Sequence, residues 1–176
     1  MGFFKDELKN IRAFIFDVDG VLSCDTSPLN EDGDPVRTAN VKDGFAIRCA
    51  VSLGFPVAVI TGGFVNRVRL RHKKLGVIHY YDKVNDKVAS LNDFMEKTGI
   101  EAKHILFMGD DLVDYKIMTK VGIPVCPKDA VADIKAISKY ISDKNGGEGC
   151  VRDVIEQTLR AQDKWFTTEM LINNAF

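Results

Sequence analysis

The 176-residue chain reads as an α/β protein: a three-layer, Rossmann-like parallel sheet with a small β-hairpin flap in place of a separate cap domain. Three observations predict this. Short apolar runs of strand length alternate with segments of helical spacing, the order of parallel βαβ units. Gly54, Gly76, Gly99 and Gly122 stand just past four of the helical segments, where a left-handed C-cap is usually glycine. The longest apolar runs are unbroken by polar residues, as strands covered on both faces are, and they stop at Asp, Thr or Gly.

The elements follow in order. Residues 13–16 (Ala-Phe-Ile-Phe) form a strand that ends at Asp17. Residues 21–41 break the rhythm: Asn30-Glu-Asp-Gly-Asp34 lies between extended segments and reads as a hairpin turning near Asp32-Gly33. A helix is expected over 44–53, then a strand over 56–60 that ends at Thr61. A helix over 65–75, a short strand over 77–81 and a helix over 87–98 come next. The strand at 104–108 ends at Gly109-Asp110, and a helix over 114–121 leads to a strand at 123–126. The chain closes with a helix at 131–137, a short strand at 139–142 and a helix at 151–162. Residues 1–161 are expected to be one domain. The tail from 162 to 176, with Trp165 and Phe166, is too short to be another.

Composition narrows the class. A length of 176 residues fits one domain at roughly 150 residues each. A chain that is 45% hydrophobic and 28% charged is neither disordered nor collagen-like. No apolar run approaches the roughly 18 residues of a membrane span, and residues 1–12 lack a signal-peptide pattern. The expectation is a cytoplasmic protein. Twenty-four basic against 25 acidic residues leave a formal charge of -1, which disfavours nucleic acid as a partner and favours a small molecule. The four cysteines form no C-x-x-C pair and the three histidines no H-E-x-x-H. All seven read as structural.

In open parallel sheets, ligands bind outside the carboxyl ends of the strands. Those ends carry Asp17-Val-Asp19-Gly20, Thr61-Gly62-Gly63 and Gly109-Asp110-Asp111, with Asp114 one turn on. Carboxylates gathered on one sheet edge repel one another strongly, so something positive must hold them. An oxygen-only, sparse set suits magnesium. Backbone N–H groups of Gly62 and Gly63 and the Thr61 hydroxyl are suited to phosphoryl oxygens. Lys87, opening a helix, supplies a point charge beside a nucleophilic carboxylate. Carboxylate attack on phosphorus, followed by hydrolysis, is an established covalent route.

Phe14-Ile-Phe-Asp17-Val-Asp19-Gly20-Val21-Leu22 resembles the first motif of the haloacid dehalogenase superfamily of phosphohydrolases. Thr61 resembles the second motif, Lys87 the third, and Gly109-Asp110-Asp111-x-x-Asp114 the fourth. The resemblance implies that Asp17 is the nucleophile and Asp19 the general acid and base. It implies that Asp17, Asp110 and the main-chain carbonyl of Asp19 ligate Mg²⁺, and that Thr61 and Lys87 complete the catalytic set. The paired aspartates of the first motif imply a phosphatase, not a dehalogenase.

Only 43 residues separate Asp17 from Thr61 and 25 separate Thr61 from Lys87, so neither gap holds a cap domain beyond the hairpin. An open site must control water by other means. Val41-Lys-Asp-Gly44, Arg69-x-Arg71, Gly146-Gly-x-Gly149 and Arg152 resemble the 3-deoxy-D-manno-octulosonate 8-phosphate phosphatases of lipopolysaccharide precursor synthesis. That resemblance implies a sugar-acid phosphate substrate, with nonulosonate 9-phosphates as the alternative. It also implies a homotetramer built around the hairpins, in which 167–176 closes a neighbour's site. Many members have arginine where this chain has Gly63. The missing contact is then expected from Arg67, Arg69 or Arg71, with Arg71, alongside Thr61, Gly62 and Lys87, as the substrate-binding choice. Two rivals are a phospho-acceptor signalling domain and a capless phosphatase for phosphoproteins or nucleic-acid ends. The first would place the acidic pair on the first strand and the acceptor mid-chain, the reverse of the order here.

Overall fold

A computed structural model describes residues 4–168. Six parallel strands, β1 (Ala13–Phe16), β2 (Val57–Ile60), β3 (His79–Tyr81), β4 (Ile105–Met108), β5 (Ile123–Cys126) and β6 (Tyr140–Ile141), form one sheet in the order β3-β2-β1-β4-β5-β6. The α/β, three-layer architecture expected from the alternation is the one observed. β1 is central, with Phe14 opposite both Val57 of β2 and Leu106 of β4. The chain runs outward from β1 to one side and then to the other, so a topological switch point lies at its carboxyl end.

Strand residues alternate between faces, which sorts the core into two layers. Phe14, Phe16, Val59, Leu106 and Met108 pack under α2 (Val41–Ser52) and α7 (Cys150–Ala161). α3 (Asn66–Lys74) joins this layer through Val68. Ala13, Ile15, Ile60, Ile105 and Phe107 pack under α4 (Lys87–Thr98), α5 (Tyr115–Met118) and α6 (Ala132–Ile137). A short helix, α1 (Phe4–Glu7), and a 3-10 turn at Leu8–Asn10 precede β1. One turn is too short to register as helical periodicity, and sequence reasoning did not anticipate it.

Three expectations need correction. The hairpin at 21–41 closes on a single antiparallel bridge, Leu29 to Pro35. Its turn is where expected, with Asn30 Oδ1 accepting from the Asp32 and Asp34 N–H groups and Gly33 at φ +83°. The flanking strands do not extend because Pro28 and Pro35 have no N–H to give to a ladder. The helix expected over 114–121 is a 3-10 turn at Leu112–Asp114 followed by the one-turn α5. Gly122 is not a left-handed cap: its N–H donates to Ala102 O at 2.8 Å, and a Cβ there would overlap the Lys103 carbonyl. Glycine at 122 serves that close approach, and the chain must leave the helix early to make it.

The Gly-rich loop before α7 braces the other side of the site. Gly147 N donates to Val21 O at 2.7 Å, and a Cβ on Gly146 would overlap the Gly20 carbonyl. The N-cap of α7 is Gly149, which has no side chain to cap it; Asp43 of α2 does so from outside, Oδ1 accepting from Arg152 N at 2.6 Å. Asp43 is 1% exposed and its Oδ2 has no hydrogen-bond partner among the described residues. Burial therefore pushes its carboxyl up to about 6, against the backbone N–H groups of Arg152 and Gly149 and the Arg152 charge, which pull it down.

Because the folded pKa lies above the unfolded one, the folded protein binds this proton more tightly. Stability from Asp43 is then lost as pH rises from about 4 to about 6, by about 3 kcal/mol. Asp43→Asn keeps the acceptor on Arg152 N and removes the titration. The variant's Tm should match the parent's near pH 4 and exceed it above pH 7. A parent Tm equal or higher at both ends would refute this.

The four cysteines are free and three are buried. His72 is 4% exposed, and burial lowers it to about 4. The tail docks on its own domain as far as it is described, with Gln162 Nε2 donating to Leu8 O and Ile11 O. Residues 169–176, most of the segment expected over a neighbouring site, lie outside the described residues.

Candidate active site

A cavity of about 380 Å³ opens at the carboxyl ends of β1, β2 and β4. Asp17, Asp19, Thr61, Gly62, Lys87 and Asp110 all line it. Each arrives there because its strand or helix ends or starts at that edge. Asp17 follows β1, its N–H held by Met108 O at 3.1 Å and its Oδ1 accepting from Val18 N at 2.7 Å. The chain then kinks, with Gly20 at φ +72°. A side chain cannot replace that glycine, since its Cβ would overlap Asp110 Oδ2. The D-x-D-G sequence is thus what brings the first and fourth acidic motifs together.

Lys87 is the first residue of α4, capped by Asp86, whose Oδ1 accepts from Val88 N at 2.9 Å. Lysines that open helices are commonly solvated, but this one is 8% exposed. Its Nζ donates to Asp17 Oδ2 at 2.7 Å and to Asp114 Oδ1 at 2.6 Å. Burial acts to lower the ammonium, and the charges and hydrogen bonds of Asp17 and Asp114 outweigh it and hold it above its ordinary range. Asp114, wholly buried, also accepts from Asp110 N at 3.1 Å through Oδ2. It thereby fixes both the lysine and the loop that carries Asp110.

The site carries more negative charge than Lys87 balances. Burial and the neighbouring Asp114 push the Asp17 carboxyl up to about 7, against the Lys87 charge. Burial and the charges of Asp17 and Asp114 push Asp110 to about 8. Carboxylate oxygens of Asp17, Asp110 and Asp114 lie within 4.8 Å of one another. Three oxygen donors this close, with Asp17 and Asp110 both disfavoured as anions by their surroundings, match a hard divalent cation in donor type and charge. Mg²⁺ fits these residues.

Thr61 follows β2 and is 4% exposed, with its Oγ1 accepting from Gly63 N at 3.1 Å. That bond leaves its own O–H as a donor. It also corrects the expected cradle, because the Gly63 N–H is engaged within the turn. The Gly62 N–H has no partner among the described residues.

Arg71 does not line the cavity. Its Nη2 donates to Asn40 O at 3.4 Å across the first turn of α2, in space that Gly44 leaves by lacking a Cβ. Arg69 pairs with Asp82 at 3.0 Å. Arg67 and Arg71 line a separate depression on α3. Within one chain, none of the three arginines lines that cavity.

Two residues of the site went unassigned in the sequence. Asp114 belongs to the fourth motif, and the structure sets its carboxylate beside those of Asp17 and Asp110; its spacing of four from Asp110 is the available signal, since one helical turn returns a side chain to the same side. Arg37, on the flap, forks onto Asp19, Nε to Oδ1 at 2.8 Å and Nη2 to Oδ2 at 2.9 Å. No periodicity surrounds it, so nothing local marked it.

Comparison with known proteins agrees with this geometry. Residues 58–155 match the haloacid dehalogenase-like hydrolase family. The chain is 38% identical to the 3-deoxy-D-manno-octulosonate 8-phosphate phosphatase KdsC of Salmonella typhi over 156 residues, 89% of this chain and 83% of the relative. The crystal structure of the corresponding phosphatase from Yersinia pestis superposes with a TM-score of 0.87 at 33% identity, covering 91% of this chain and 86% of that one. The enzyme from Moraxella catarrhalis, in complex with magnesium, phosphate and KDO, gives 0.86 at 34% identity and 92% coverage of both chains. With a buried Lys87 bridging Asp17 and Asp114 at the switch point, and relatives of this identity along most of its length, the chain belongs to the haloacid dehalogenase-like hydrolases and groups among them with the 3-deoxy-D-manno-octulosonate 8-phosphate phosphatases.

Proposed function

We propose that this chain is a Mg²⁺-dependent phosphatase that hydrolyses 3-deoxy-D-manno-octulosonate 8-phosphate to the free sugar acid and inorganic phosphate, a step in making lipopolysaccharide precursor. The observation that carries it is the Lys87 bridge between Asp17 and Asp114, 2.7 and 2.6 Å long, with Asp110 beside it. It aims one carboxylate at a space bounded by phosphate-binding groups.

The residues divide the work as follows. Lys87 and the Val18 N–H fix the two oxygens of Asp17, so that one is presented to phosphorus. Thr61 O–H, Gly62 N–H and Lys87 donate to the non-bridging oxygens. Asp17 forms a bond to phosphorus as the bond to the sugar oxygen breaks, and Asp19 gives that oxygen its proton. Asp19 then takes a proton from water, whose oxygen attacks the aspartyl-phosphate; phosphate leaves and Asp17 is regenerated. Asp17, Asp110 and Asp114, with the Asp19 carbonyl, would hold Mg²⁺, which when bound offsets the negative charge gathered on the phosphoryl group.

Two further points belong to the same reading. No helix among the described residues is long and apolar enough to cross a membrane, in keeping with a cytoplasmic enzyme. Leu29, Val36 and Val41, on or beside the flap, are 67%, 44% and 77% exposed, an apolar surface suited to association around the flaps as a homotetramer. The test is phosphate release from the octulosonate ester in Mg²⁺ buffer, with the nonulosonate 9-phosphate as competitor. EDTA should abolish the release, and the active species should scatter light at about four times 19.6 kDa. Release from the nonulosonate ester alone would overturn the substrate, EDTA-resistant release the metal, and a fully active monomer the assembly.

A further inference from the structure

We propose that Arg37 is a specificity-determining residue that clasps the carboxylate of the substrate's sugar-acid half, and that Gly63 is the gap through which it reaches the site. This rests on the sugar-acid phosphatase reading. From residue 28 to 39 every residue is exposed except Arg37, whose side chain is 12% exposed. A flap otherwise in solvent thus turns one cationic side chain inward.

Its guanidinium already holds a carboxylate. Both of its bonds to Asp19 are shorter than 3 Å and run in parallel, the fork geometry that an ammonium cannot reproduce. Asp19 is itself 51% exposed on its side chain, so the pair is solvent-screened and readily exchanged. If Asp19 serves the leaving oxygen, it must give up this pairing when substrate enters. The released fork then faces the sugar half of the ester, which carries its carboxylate at C1, away from the C8 oxygen that Asp19 serves.

Gly63 makes the approach possible. A Cβ at 63 would sit 2.6 Å from Arg37 Nη2 and 3.3 Å from Cζ, displacing the guanidinium. Asp19 and Gly63 both line the cavity, and among the described residues Lys87 is the only cation that does so. A phosphate ester that also bears a carboxylate needs a second positive partner, and Arg37 stands against that wall.

The test compares octulosonate 8-phosphate with a hexose 6-phosphate that lacks a carboxylate. The ratio of their kcat/KM values should fall roughly 10- to 100-fold in Arg37→Met, the loss of a charge-assisted pair. Arg37→Lys should fall between, having charge without the fork. Gly63→Ala should shift the ratio the same way by evicting the guanidinium, and the double variant should be no worse than Arg37→Met. Equal losses on both esters would mean that Arg37 only supports Asp19 or the flap, and would overturn the proposal, as would an unchanged ratio. A parent chain inactive on both esters would instead sink the phosphatase reading itself.

Discussion

Asp17→Asn is expected to reduce phosphate release from octulosonate 8-phosphate by roughly 10⁴-fold or more. The substitution is close to isosteric. Its amide oxygen still accepts from Val18 N, which Asp17 Oδ1 now does at 2.7 Å. It cannot form the phosphoric–carboxylic anhydride, because an amide oxygen is a poor nucleophile. What is lost is therefore the chemistry and not the shape. The fold should be preserved, because losing the bond that Asp17 Oδ2 accepts from Lys87 Nζ at 2.7 Å is offset by removing a charge that burial and Asp114 make costly. Phosphate release and a melting curve on the same sample separate the two effects. Turnover within roughly a hundredfold of the parent, with an unchanged melting curve, would remove Asp17 as nucleophile and leave it a positioning role.

The parts of this molecule that sequence made legible are those where period and chemistry coincide. β1, β4 and β5 were readable because each is an apolar run covered on both faces, and α4 because its cap, Asp86, and its C-terminal Gly99 bracket an amphipathic segment. Asp17, Thr61, Lys87 and Asp110 were readable because each sits where such an element ends or begins, which is where a parallel sheet binds ligands. The flap was harder. Its turn chemistry at Asn30–Gly33 is local and visible, but whether strands flank it depends on Pro28 and Pro35, and its one functional side chain is positioned by Asp19 and Gly63 from distant stretches of chain. Arg71 illustrates the converse. It stands on a basic helix face next to the second motif, yet the absence of a Cβ on Gly44 lets it fold back over α2 instead. Partner choice among exposed long side chains is decided by such gaps, which spacing does not encode.

Lys87→Met carries the second large expected effect, and it reaches stability as well as turnover. Lys87 holds apart two buried carboxylates whose side chains are 6% and 0% exposed. Removing one partner from a buried charge network leaves the others uncompensated, at a cost of about 3 kcal/mol. For a chain of this length that lowers Tm by roughly 6–12 °C. Activity should fall by roughly 10³-fold at a temperature where the variant is still folded, through loss of both the phosphoryl contact and the orientation of Asp17. The cause of the instability can be isolated by adding Asp114→Asn. With one of the two carboxylates neutral, the further cost of Lys87→Met should shrink, while the activity loss should not recover. Mg²⁺ should also raise the variant's Tm more than the parent's, because a cation bound to the folded state alone takes over part of the missing charge. A metal-free variant melting within about 2 °C of the parent would show that Asp17 and Asp114 accommodate the loss by protonation, and that the ammonium is there for catalysis alone.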